Sequence, residues 1–113
     1  MRIHDIQDGD GRIQAFEVPT FFLDRRGVRQ IVRAIPGATL LAYRPHKEQL
    51  CEFKVGGVSF LVHETWGDSD RYWVGPVEAG WTPQLRVIRE TFARARPFLV
   101  RSILSRTIRG PGA

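Results

Sequence analysis

The spacing of apolar and polar positions changes along the chain, and each change marks an element. Residues 2–7 and 12–18 are β-compatible segments on either side of Asp8-Gly9-Asp10-Gly11. Asp-Gly pairs between such segments predict a hairpin, because glycine accepts the positive φ that the turn needs. Alternate acids in a turn also suggest a calcium loop. That match fails at Arg12, where an oxygen ligand should stand, and no bidentate glutamate follows at the required distance.

The period then switches. Val28, Ile31, Val32 and Ile35 fall at helical spacing, with Arg26, Arg29, Gln30 and Arg33 on the opposite face. Asp24 is placed to cap this helix, and Thr20 to cap a longer version. Pro36-Gly37 ends it. Residues 38–43 read as a strand, and Arg44-Pro45-His46-Lys47 as a loop.

Residues 50–55 and 58–65 flank Gly56-Gly57, a two-residue hairpin turn. Such a turn sets a register. It places Val55 opposite Val58, Phe53 opposite Phe60 and Cys51 opposite Val62, all on one buried face. The other face pairs Glu52 with Leu61, Lys54 with Ser59 and Leu50 with His63. Residues 71–77 form the next strand, and Pro76 argues that it is an edge or ends there. Thr82-Pro83 then reads as an N-cap and first-turn proline. Leu85, Ile88, Phe92 and Ala95 share one helical face behind it. Beyond Pro97, Leu99, Val100, Ile103, Leu104 and Ile108 share a face again.

These elements predict an α+β fold. It has a mainly antiparallel sheet, a meander of three to five strands, with helices packed on one face as a two-layer sandwich. The expected organisation is a single domain over residues 1–96 and a basic amphipathic C-terminal helix or tail over 97–113.

Charge sharpens the second part. The chain has 113 residues and a net charge of +5. Residues 86–113 carry seven arginines (Arg86, Arg89, Arg94, Arg96, Arg101, Arg106 and Arg109) against one acid, Glu90. The rest is nearly neutral. Such asymmetry favours an anionic partner, and clustered arginine contacts phosphate without reading sequence. A solvated, docked helix explains the same residues. Motifs for nucleic-acid recognition are missing: there is no aromatic strand signature, GXXG loop or zinc-finger spacing. The open sheet face offers at most Tyr72 for stacking.

Candidate chemistry is sparse. Cys51 is the only cysteine, so no disulfide can form within the chain. The hairpin register buries it beside Phe53 and Phe60, away from His63, a poor setting for a nucleophile. His4, His46, His63 and Cys51 show no metal-ligand spacing, so neither a metal nor another cofactor is expected. There is no G-x-S-x-G elbow and no phosphate-cradling glycine loop. Asp68, Asp70 and His63 are the remaining acid–base candidates, and Asp and Ser are also ordinary turn formers. No transmembrane or signal segment is evident, which makes the cytoplasm the expected compartment.

The densest stretch lies between residues 66 and 81, which holds all three tryptophans. Trp, Tyr and Arg dominate interface hot spots. Trp66, Asp68, Asp70, Arg71, Tyr72 and Trp81 therefore form the expected partner-binding patch. Tyr72 and Trp73 alternate, so one of the two should face inward. The reading that follows is a small non-enzymatic protein-interaction module, binding another protein or a second copy of itself. The alternative is a charge-driven nucleic-acid binder using the C-terminal arginines.

Overall fold

Two of the hairpins close on turns built by their own residues. A computed structural model describes residues 2–21, 23–64 and 70–95. Strand β1 (His4–Gln7) and strand β2 (Ile13–Pro19) form the first hairpin. The Asp8 carboxylate organises its turn, accepting the N–H groups of Asp10 at 2.8 Å and Arg12 at 3.0 Å. That carboxylate serves the backbone, as Asx turns do.

Helix α1 (Arg25–Ala34) follows, and Asp24 caps it: its Oδ1 accepts the Gly27 N–H at 2.7 Å. Strands β3 (Ala38–Tyr43), β4 (Gln49–Val55), β5 (Val58–Glu64) and β6 (Arg71–Pro76) come next. Gly56 and Gly57 both have positive φ, at 58° and 81°, as the tight turn between β4 and β5 requires. A second helix, α2, covers residues 85–95. Thr82 stands where a cap was expected, but its hydroxyl is buried without a hydrogen-bond partner. Its carbonyl accepts the Leu85 N–H instead.

Among the described residues the fold is α+β, with six strands in one antiparallel sheet and two helices. The strand order is β1-β2-β6-β5-β4-β3. This is one strand more than the largest sheet expected from the sequence. The extra width comes from the first hairpin, which joins the later strands through β2 and β6. Strand β6 is therefore interior, not an edge, and it ends at Pro76, the other outcome that this proline allowed. Pro76 is tolerated because it sits opposite Phe60 at a position where Val77, not residue 76, donates to Ser59. Its missing N–H falls on the β2 side, past Val74, the last residue of β6 in register with β2.

The β4–β5 register is the one the turn dictates, with Val55, Phe53 and Cys51 opposite Val58, Phe60 and Val62. Leu50 departs from it. An irregularity between Gln49 and Cys51 puts Gln49 opposite His63 and turns Leu50 into the core, fully buried. One extra residue in a strand flips the side chains beyond it.

One hydrophobic core holds the fold together. Phe16, Val18, Cys51, Phe53, Phe60, Val62, Tyr72 and Val74 from the strands meet Val28, Ile31 and Val32 of α1 and Leu85, Ile88 and Phe92 of α2. Phe16 and Phe92 meet edge to face at 5.5 Å. No helix among the described residues is long and apolar enough to cross a membrane.

Candidate functional site

Side chains alternate across a strand, so the residues between the core positions define the second face of the sheet. Glu17, Trp73, His63 and Gln49 form one row across it, and Ile6, Ala15, Gly75, Leu61 and Glu52 form the next. Ala15 is buried, yet it lies outside the core cluster. Both Ala15 and the indole of Trp73 crowd the bare Cα of Gly75. A Cβ on Gly75 would come within 2.6 Å of Trp73 Cη2 and 2.9 Å of Ala15 Cβ. The indole thus lies close against the bare backbone of Gly75, with Ala15 close to the same point.

The result is an aromatic platform centred on Trp73. Leu61 and Ile6 extend it on either side, both half-buried. Polar side chains border it. Arg71 Nη1 lies 3.3 Å from Glu17 Oε1, and His63 Nε2 lies 4.0 Å from Glu48. Leu41 stands 47% exposed at an irregularity in edge strand β3. Such a bulge also blunts the edge against pairing with another chain.

The expected partner-binding residues are not all brought together. Asp70 and Arg71 lie at the start of β6 and are exposed. Tyr72 is the inward member of the pair. It is 3% exposed, and its hydroxyl donates to the Leu23 carbonyl at 2.9 Å. Burial pushes its phenol up to about 12. Trp73, and not Tyr72, is therefore the aromatic that the open face presents. Trp81 lies past the other end of β6, about 20 Å of strand from Arg71 at roughly 3.3 Å per residue. It is half exposed there, with the Arg12 guanidinium 5.2 Å from its ring. Trp66 and Asp68 lie outside the described residues.

The basic set is also divided. Arg89 is bound to Asp5 by two hydrogen bonds, at 2.7 and 3.0 Å, which raise its pKa further. Arg86 and Arg94 are exposed on α2. Arg96, Arg101, Arg106 and Arg109 lie outside the described residues, as does the whole segment 97–113.

Of the chemical candidates, Cys51 is fully buried, and desolvation pushes its thiol up to about 11 against the opposing pull of Arg29, Arg25 and Arg44. A thiol held protonated inside a core is a packing residue. His63 lies on the open face opposite Trp73. No group of three or more potential metal ligands occurs among the described residues.

Sequence reasoning missed Trp73 as the surface aromatic. A signal was present: Gly75 two residues on, in a strand, marks a place where something approaches the backbone closely. It also passed over α1, where Arg25, Arg26 and Arg29 line a cleft with Tyr43 and His46.

No protein-family profile matches the chain, and no curated protein or solved structure matches it either.

Proposed function

We propose that this chain is a small non-enzymatic interaction domain, a two-layer sandwich that engages another protein through the open face of its sheet. The observation that carries this reading is the Trp73 platform on Gly75, flanked by Leu61 and Ile6 and bordered by polar side chains. An aromatic centre with a polar rim is the usual anatomy of a binding patch. Arg71 and Asp70, exposed where β6 begins, extend the patch. A cytoplasmic setting belongs to the same reading and rests on the single, unpaired thiol. The charge-driven nucleic-acid reading is weaker, because Arg89 is spent on Asp5.

A second copy of the chain is the first partner to test. Sedimentation velocity over a wide concentration range is expected to show reversible self-association, weakened by Leu61→Lys and by Trp73→Ala. A chain that stays monomeric removes self-association and leaves the face to a different protein. Association unchanged in both variants, with their folds intact, removes the face itself.

A further inference from the structure

A cleft of about 870 Å³ opens between the first half of α1 and the loop after β3. Its charge is lopsided. Arg25, Arg26, Arg29 and His46 line it against one acid, Asp24. The Asp24 carboxylate already caps α1 through Gly27, so the helix terminus itself is satisfied. Arg25 is committed as well. Its Nη2 donates to Glu64 Oε1 at 2.7 Å, and its Nη1 donates to the carbonyls of Lys47 at 2.6 Å and Pro45 at 3.1 Å. Those bonds fix the far wall of the cleft.

Arg26 and Arg29 are uncommitted. Arg26 is exposed and makes no side-chain hydrogen bond or ion pair among the described residues. The Arg29 guanidinium stacks over Tyr43, 4.7 Å from the ring centroid. Its Nε is buried, yet it donates to no acceptor. A shielded, charged donor without a partner is costly, and such a group calls for an acceptor. Stacking on Tyr43 fixes the guanidinium plane, and the Nη groups, unlike Nε, are not buried, so they are the donors an anion in the cleft can meet. Positions three apart on a helix are neighbours, so Arg26 and Arg29 can reach the same group.

We propose that this cleft binds a phosphate-type oxyanion, with Arg29 and Arg26 as its ligands and Tyr43 as the residue that positions Arg29. A tetrahedral dianion matches two guanidinium charges, where a single carboxylate matches one, and it offers more oxygens to them. The site is separate from the sheet face, since Tyr43 and α1 lie on the core side.

The test is calorimetric titration of the full chain with inorganic pyrophosphate, beside co-sedimentation with phosphatidic acid vesicles and with phosphatidylcholine vesicles. Saturable binding is expected. Arg29→Gln and Arg26→Gln should each weaken it by about tenfold or more, as loss of a charge-assisted bond implies. Arg86→Gln, away from the cleft, should change it little. Because Arg26 is exposed, its variant keeps the test valid even where Arg29→Gln disturbs folding. Pyrophosphate binding alone assigns a soluble phosphate. Added binding to phosphatidic acid vesicles with the same ranking of variants assigns a lipid headgroup. The proposal is overturned by the absence of saturable binding to either probe, or by an equal loss in Arg86→Gln.

Discussion

Asp5 and Arg89 meet in a two-pronged ion pair that ties edge strand β1 to helix α2. Strand β1 is only four residues long and lies at the edge of the sheet, so this contact adds an attachment beyond the hairpin. Both side chains are partly solvated, which limits what the pair contributes. Arg89→Ala or Asp5→Asn is expected to cost about 0.5–1 kcal/mol. The double variant should cost less than the sum of the singles, a coupling that thermal or urea unfolding of all four proteins measures.

The contact of Trp73 with Gly75 makes a sharper prediction. Gly75→Ala places a methyl group in the space that the indole and Ala15 occupy. Overpacking of this kind costs about 1–3 kcal/mol. Shrinking the indole should relieve it, so Gly75→Ala is expected to be milder in a Trp73→Val background. Equal costs in both backgrounds would show that the indole does not lie on Gly75.

Alkaline pH should weaken the fold by a calculable route. Cys51 is raised from 9.0 to about 11 and Tyr72 from 10.0 to about 12. In each case the unfolded chain gives up its proton first, and ionisation then favours the unfolded state. The stability these groups supply is complete below pH 9 and is lost as pH rises from about 9 to 12. Cys51→Ala should lower overall stability through its cavity, yet flatten the first part of that decline. At neutral pH, Cys51 should react with a thiol reagent only after denaturant is added.

Asp24→Ala removes the cap of α1, at an expected cost of about 1 kcal/mol. Asp24→Ser, which keeps an acceptor oxygen, should recover most of it. Unfolding in urea gives both values directly.

Local chemistry made much of this fold legible. Gly56-Gly57 dictated the pairing of Phe53 with Phe60 because a two-residue turn leaves no freedom of register. Asp24 was readable because the cap depends only on its neighbours in sequence. Two features were hidden because each depends on residues elsewhere in the chain, and a third because nothing local marks it. The interior place of β6 is decided by β2, which lies far back in sequence. The inward turn of Leu50 depends on a strand irregularity that no residue type announces. The stacking of Arg29 on Tyr43 needs α1 to cross back over β3. The spread of Asp70, Arg71 and Trp81 along β6 follows from the strand's length, which separates neighbours in sequence.

The strand order also carries a kinetic consequence. Strand β2 waits for β6, about fifty residues further on, before its second edge is paired, and contacts of such separation slow folding. During synthesis the first hairpin leaves the ribosome long before its permanent neighbour exists. Until then β2 presents a bare row of backbone donors and acceptors. The nascent chain is therefore most open to mispairing, and most in need of a chaperone, in the interval before residue 76 emerges.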